Sequence, residues 1–157
     1  GHIHGAYDVL PKTDFMLREG SVNVEVGPRI PCSKDYRSMT KECHRLFVNH
    51  YAELRRTLET PEYLSVYVRY KYLYKGADVE SRCRKALARV NDMAFLREVP
   101  SGNHFEIHDC GQGEYALIFA LMHPEVEVDA YDRDEDNVML ASNISCLPAN
   151  LHFHLEL

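Results

Sequence analysis

The chain has 157 residues, of which 45% are hydrophobic and 27% charged, and a net charge of −6 at neutral pH; this is typical of a globular domain that can bury a core. The acidic balance disfavours nucleic acid as a general partner, because no surplus of basic residues displaces its counterions. Five cysteines without Cys-x-x-Cys spacing favour free thiols over disulfides or zinc, and no apolar run approaches the roughly 20 residues of a membrane span.

The first segment, residues 1–31, predicts a small β-hairpin-like piece. A short strand-like stretch leads to a turn at Pro11, and residues 21–26 then alternate between polar and apolar side chains, as in a half-buried strand. Gly27 and Pro28 end that strand. A segment of this size cannot bury a core of its own.

A helical cap is predicted over residues 38–98. Its first helix has apolar residues on one face between positions 39 and 58, and Ser38 or Thr40 can cap its start. A second helix begins at Pro61 with Thr60 as its cap, and Asp78 can cap a third. The charged faces of these helices are expected to be solvated.

Residues 103–157 predict a β-α-β-α-β unit. A strand over 105–109 meets a glycine turn and then an apolar helix, and a second strand ends at Asp132, 21 residues beyond Gly111. A crossover of this length makes the two strands parallel neighbours, so Asp132 is expected beside the glycine turn. Asp134 or Asp136 can cap the next helix, and a third alternating strand follows at 151–157. The predicted fold class is therefore α/β, with a partial Rossmann-like unit.

The glycine turn and Asp132 together predict a nucleoside site. Sugar hydroxyls can donate to Asp132, while bare glycine backbone near a helix N-terminus lets the rest of a ligand approach closely. Asp109, two residues before Gly111, argues against a dinucleotide, because an acid there repels phosphates and attracts a cationic ligand.

These residues resemble the first two motifs of class I S-adenosylmethionine-dependent methyltransferases, acid-x-Gly-x-Gly-x-Gly followed by an acid that ends the second strand. The resemblance implies S-adenosylmethionine as cofactor, with a binding set of Asp109, Gly111, Gln112, Gly113, Asp132 and Arg133. It implies that Gly111 and Gly113 face the cofactor, that Asp109 supports its amino-acid part, and that Asp132 holds its ribose. The third glycine of the family pattern is Tyr115 here, whose ring could occupy space the cofactor needs.

A second resemblance concerns residues 7–11, Tyr-Asp-Val-Leu-Pro, and residues 20–30, Gly-Ser-Val-Asn-Val-Glu-Val-Gly-Pro-Arg-Ile. They resemble the C-terminal end of the lysophospholipid (1-acylglycerol-3-phosphate) acyltransferase domain, whose catalytic His-x-x-x-x-Asp motif is missing from this chain. Residues 70–76, Tyr-Lys-Tyr-Leu-Tyr-Lys-Gly, followed by the glycine turn, also resemble the junction in large Bacteroidetes-type proteins, in which an exporter, a lysophospholipid acyltransferase and a methyltransferase-like domain are fused. The resemblances together indicate a piece of such a protein. They imply a membrane-associated parent, a soluble domain at the cytoplasmic face and a lipid-related acceptor.

Two functions remain open at this point. The first is a methyltransferase-like transferase, for which no catalytic residue can be named. The second is a non-catalytic scaffold that keeps half of the fold; its open sheet edge predicts a homodimer or pairing with a further segment. The histidine pairs at positions 2 and 4 and at 152 and 154 are interpreted as ordinary histidines, because no third metal ligand is placed by the sequence.

Overall fold

A computed structural model describes residues 2–9, 18–27, 29, 30, 32, 34–98 and 100–157. The turn predicted at Pro11 and the strand end predicted at Pro28 lie outside these residues. The chain divides into two compact units, Gly1–Glu59 and Thr60–Leu157. The expected α/β class is confirmed, with a small antiparallel hairpin, helices and a three-stranded parallel sheet. No helix within the described ranges is long and apolar enough to cross a bilayer.

The first unit is built from a hairpin and a long helix. Its elements are β1 (His2–His4), α1 (Ala6–Val9), β2 (Asn23–Glu25) and α2 (Tyr36–Leu58). β1 pairs antiparallel with β2, with Ile3 opposite Val24. Both side chains are mostly exposed, at 62% and 70%, whereas His2 and His4 are buried. The prediction that the valines of this strand are half-buried is therefore wrong, because the hairpin face that packs on α2 is the histidine face; the ring of His2 stacks on Phe47.

Helix α2 starts two residues earlier than the sequence predicts. Asp35 is the N-cap, and its carboxylate accepts the backbone N–H of Ser38. Capping by Ser38 or Thr40 is therefore wrong; the Thr40 hydroxyl instead donates to the carbonyl of Tyr36. None of the residues of α2 is buried, so the predicted apolar face of this helix does not form a core in the described chain.

The second unit contains most of the buried residues. Its elements are α3 (Pro61–Arg69), α4 (Ala77–Leu87), β3 (His104–Ile107), α5 (Glu114–Met122), β4 (Glu127–Asp132), α6 (Glu135–Ser142) and β5 (Leu151–Leu155). A short 3₁₀ turn at 70–72 lies between α3 and α4, and two more at 90–92 and 94–97 lie between α4 and β3. Residues 60–98 thus pack with the sheet, while the predicted first helix of the cap belongs to the other unit.

The helix starts in this unit agree only partly with the sequence. Thr60 caps α3 by accepting the backbone N–H of Tyr63, as predicted. Asp134, one of the two predicted candidates, caps α6. The cap predicted at Asp78 is wrong: α4 begins at Ala77, preceded by Gly76 at a φ of +117° and without a side-chain cap. The glycine provides a backbone conformation that other residues rarely adopt.

The sheet runs in the order β3–β4–β5, and all three strands are parallel. Helix α5 packs on it so closely that residues 116–120 have no exposed surface, and α3 and α4 cover the outer side of α5. The ring of Phe105 in β3 stacks on Phe119 of α5 at 4.3 Å between centroids. The opposite face of the sheet is polar throughout. It carries His104, Glu106, Glu127, Asp129, Tyr131, His152 and His154.

Candidate functional site

The glycine turn reverses the chain between the end of β3 and the start of α5. Asp109, Gly111 and Gly113 all have positive φ angles, of 52°, 59° and 86°. The Cys110 N–H donates to the carbonyl of Tyr131 in β4, at 2.9 Å, which fixes the turn to the neighbouring strand. Asp109 is a non-glycine residue in a sparsely populated region, so this backbone is held by its surroundings.

The two glycines of the turn serve different purposes. A Cβ added to Gly113 would lie 2.7 Å from the ring of Phe153 and 3.2 Å from Ala141, so this glycine allows the turn to pack closely on β5 and α6. A Cβ added to Gly111 would meet no atom within 4 Å. Gly111 therefore presents bare backbone to open space, whereas Gly113 faces the protein interior.

Asp132 lies beside the turn, at the position that the crossover length predicts. Its Oδ2 accepts the N–H of Gly111 at 2.6 Å, and its Oδ1 accepts the Asp134 N–H at 2.9 Å and the Asn137 amide at 3.2 Å. The carboxylate is only 8% exposed. Burial favours the neutral form, but the donors from Asp134, Asn137 and Gly111 outweigh it and hold the pKa of Asp132 below its usual value. Asp132 is therefore an anion that joins the turn, β4 and the start of α6.

A cavity of about 260 Å³ opens beside the turn. Its floor is the backbone around Gly111, and its lining includes Asp109 and Gln112 from the turn, Arg82 and Ala86 from α4, Glu114 and Tyr115 from α5, and Asn137 from α6. Gly113 and Asp132 are not among the lining residues; they lie under the turn. Sequence reasoning placed both glycines and Asp132 at the ligand, and only Gly111 has this direct access.

Tyr115 forms one wall of the cavity. Its hydroxyl donates to the carbonyl of Ala86 in α4. This hydrogen bond holds the ring against that helix, at the side of the cavity. The buried surroundings raise the pKa of Tyr115, so the hydroxyl stays a donor at neutral pH. The residue that replaces the third glycine of the family pattern thus connects the glycine turn to α4 and leaves a cavity beside its ring.

The polar groups of the cavity form a connected set around Gln112. When the Gln112 amide is oriented to suit its neighbours, its nitrogen donates to Glu114 and its oxygen accepts from Arg82, both at 3.3 Å. Arg82 also donates to Asn137, at 3.5 Å. Burial raises the pKa of Glu114, which is 4% exposed. The buried Tyr72 hydroxyl donates to the backbone carbonyl of Gln112 at 2.7 Å, so the turn is also held from the side of α3.

One residue of the predicted binding set, Arg133, lies away from the cavity. Arg133 is exposed and pairs with Glu156 at 3.2 Å, on the side of the polar sheet face. Cys110 is buried, and desolvation together with Asp132 raises its pKa to about 12. A protonated thiol is a poor nucleophile, which supports packing as the role of Cys110.

The sequence did not identify Arg82 or Asn137 as site residues. Arg82 was assigned to a solvated helix face, and it is exposed, but that face borders the glycine turn. No local pattern distinguishes it from the other basic residues of α4. Asn137 follows Asp132 by five residues, and this spacing on a strand–turn–helix junction is the one signal that could have suggested it.

The histidine pairs do not form metal centres in the described part of the chain, which contains no group of three or more suitable ligands. His104 and His154 both hydrogen-bond to Asp129, at 2.7 and 2.6 Å. His4 pairs with Glu59 at 3.0 Å in the first unit. These contacts account for the histidines as surface and packing groups.

Comparisons with known proteins found no relative of this chain. No protein-family model, no curated protein and no solved structure matches it. The function must therefore be inferred from the geometry and chemistry of the cavity beside the glycine turn, together with the motifs of the sequence.

Proposed function

We propose that the second unit is a Rossmann-like, methyltransferase-like module that binds S-adenosylmethionine beside the glycine turn. The proposal rests on the contact between Gly111 and Asp132. The backbone of Gly111, beyond the end of β3, is open to approach, and Oδ2 of the buried Asp132 carboxylate, at the end of β4, lies 2.6 Å from the Gly111 nitrogen. In parallel α/β sheets this carboxyl edge is where nucleosides bind.

The donor set of the cavity suits the amino-acid part of the cofactor. Arg82 offers a guanidinium to a carboxylate, and Asp109 and Glu114 offer acidic groups to an ammonium or sulfonium cation. Gly111 leaves room where any side chain would project into the cavity. A pocket that holds a complete drug-sized ligand has a volume of about 300–1,000 Å³. The cavity of about 260 Å³ therefore fits one part of the cofactor. The adenosine would extend along the strand ends toward Asp132.

The bound cofactor would supply an activated methyl group, and the task of this chain would be to orient it and its acceptor. The acceptor class, a lipid-related small molecule, rests on the resemblance of residues 7–30 to the end of an acyltransferase domain. The same resemblance supports a membrane-associated parent protein with this domain at the cytoplasmic face.

Calorimetric titration with S-adenosylhomocysteine tests the proposal. We expect saturable heat for the parent chain and an affinity lowered about tenfold or more in Arg82→Ala, because a charge-assisted hydrogen bond contributes about 1.5–3 kcal/mol. Arg84→Ala is the matched control, since Arg84 is an exposed arginine of the same helix that does not line this cavity. Absence of heat with the parent chain, or equal affinity in Arg82→Ala and the parent, would overturn the proposal.

A non-catalytic scaffold is the second candidate, and the polar face of the sheet favours it. A complete doubly wound sheet has apolar residues on both faces because helices cover both, whereas here one face carries histidines, acids and a tyrosine. In the described chain, β3 pairs on one side only, so its free edge supports a homodimer as the form of such a scaffold. A stable monomer in light scattering that also binds S-adenosylhomocysteine would contradict this candidate.

A further inference from the structure

A cavity of about 390 Å³ lies in the first unit, along the predicted apolar face of α2. From α2 it is lined by residues whose spacing places them on one helix face, Cys43, Leu46, Phe47 and His50. Further lining comes from His2 in β1 and from Ile30, which follows β2. A cavity of this volume is within the usual range for small-molecule sites.

The imidazole of His2 is the buried polar group of this cavity. The residue is 4% exposed, and its ring stacks on Phe47 and also contacts the ring of His50. The Nδ1 atom of His2 is buried and has no hydrogen-bond partner among the described residues. Buried polar atoms in proteins are almost always hydrogen-bonded, so an unpaired nitrogen in a lining residue indicates that a ligand supplies the partner.

The charges of the lining favour a neutral ligand. Burial, followed by the neighbouring His50, lowers the pKa of His2, so this imidazole is neutral at neutral pH. The described lining contains one acid, Glu53, and no lysine or arginine, and His50 already pairs with Glu25 at 3.1 Å. An anionic ligand would therefore lack a counter-charge. Glu53 is exposed, so its solvated charge contributes little to the binding of a cation.

The apolar part of the lining has surface that a ligand can cover. Phe47 and Ile30 are 49% and 38% exposed, and Leu46 is partly exposed. The Phe47 ring stacks on His2, yet about half of its surface remains open. A flat apolar ring can pack on these side chains and remove their surface from water.

We propose that this cavity binds a neutral aromatic alcohol, a compound of the phenol class, with its ring on Phe47 and Ile30 and its hydroxyl at His2. A hydroxyl both donates and accepts, so it can pair with Nδ1 in either tautomer of the neutral imidazole. A hydrocarbon of the same shape would leave Nδ1 unpaired. The inference does not rest on the proposed cofactor site, because the described lining belongs entirely to the first unit.

Equilibrium dialysis of the full chain with 2-naphthol, naphthalene and 2-naphthoate tests this site. We expect saturable binding of 2-naphthol at one site and an affinity for naphthalene that is about fivefold or more lower, because naphthalene cannot pair with the buried nitrogen. 2-Naphthoate should also bind more weakly than 2-naphthol, since its charge meets no basic group in the described lining. No saturable binding of 2-naphthol, or an equal affinity for either of the other two compounds, would overturn the proposal.

The variant His2→Phe separates the hydrogen bond from the packing, because it keeps a ring beside Phe47 and removes the nitrogen. It should lower the affinity for 2-naphthol to about that for naphthalene, while the affinity for naphthalene changes by less than about twofold. A preference for 2-naphthol that persists in His2→Phe would overturn the proposal.

Phe47→Ala should weaken the binding of both 2-naphthol and naphthalene about fivefold or more, because it removes the ring on which they pack. Val48→Ala is the matched control, since Val48 is equally exposed, at 48%, and adjacent in the chain but does not line the cavity. It should change the affinities by less than about twofold. An equal loss in the two variants would overturn the proposal. Circular dichroism of each variant verifies that the fold is retained.

Discussion

Replacement of Gly113 by alanine tests whether close packing under the glycine turn is what this residue provides. An alanine at a φ of +86° incurs the left-handed penalty of about 1–2 kcal/mol. Its Cβ would also lie 2.7 Å from the Phe153 ring, and an overpacked core methyl typically costs about 1–3 kcal/mol. We therefore expect Gly113→Ala to lower the free energy of unfolding by about 2–5 kcal/mol, a large part of the roughly 5–15 kcal/mol that stabilises a typical domain.

Gly111→Ala is the matched control, because Gly111 also has a positive φ but has open space at its Cβ position. It should incur only the backbone penalty of about 1–2 kcal/mol. Urea unfolding followed by circular dichroism measures both changes. Phe153→Leu in the Gly113→Ala background should restore part of the loss, since it removes the ring atoms that the new methyl meets. If Gly113→Ala is no less stable than Gly111→Ala, the packing argument is refuted.

The remaining predictions concern three other buried contacts. Asp132→Asn should lower the free energy of unfolding at neutral pH by about 1.5–3 kcal/mol. Because the folded pKa of Asp132 lies below its ordinary value, the parent loses this stability as the pH falls below about 4. Urea unfolding across that pH range should therefore show a flatter acid dependence for the variant than for the parent. Asn150→Ala should lower thermal stability by about 2–4 kcal/mol, since the buried amide donates to three backbone carbonyls; a change below about 0.5 kcal/mol would contradict this. Tyr115→Phe should cost about 1 kcal/mol by thermal unfolding, because it removes the donor to the Ala86 carbonyl, and unchanged stability would show that water replaces this bond.

The order of elements in residues 103–157 could be predicted because each signal is local. Glycine turns, apolar spacing and the acid after the second strand are read from neighbouring residues, and the crossover length then makes β3 and β4 parallel neighbours. The contact between Gly111 and Asp132 follows from the same geometry. Caps were predicted with mixed success: Thr60 was identified, whereas Asp35 was missed because Ser38 and Thr40 follow it closely.

The parts that could not be predicted depend on contacts between distant residues. Val24 is exposed because His2 and His4 occupy the hairpin face toward α2, and no alternation pattern reveals which face a partner element covers. In the same way, Arg82 borders the cavity only because α4 packs beside the glycine turn. The role of Gly113 depends on Phe153, which lies 40 residues later in the chain.

The polar face of the sheet provides a way to distinguish the two candidate functions by experiment. Asp129 accepts from His104 of β3 and His154 of β5, and these bonds, with His104 first, lower the pKa of Asp129. The three strands are thus linked on this face by hydrogen bonds between polar side chains. The cavity beside Gly111 is formed only by elements on the covered face and at the strand ends. The proposed cofactor site therefore includes no residue of the polar face. If the chain binds S-adenosylhomocysteine and substitutions at Asp129 leave the affinity unchanged, its function would lie on the covered face. A scaffold would instead depend on the polar face or on the free edge of β3.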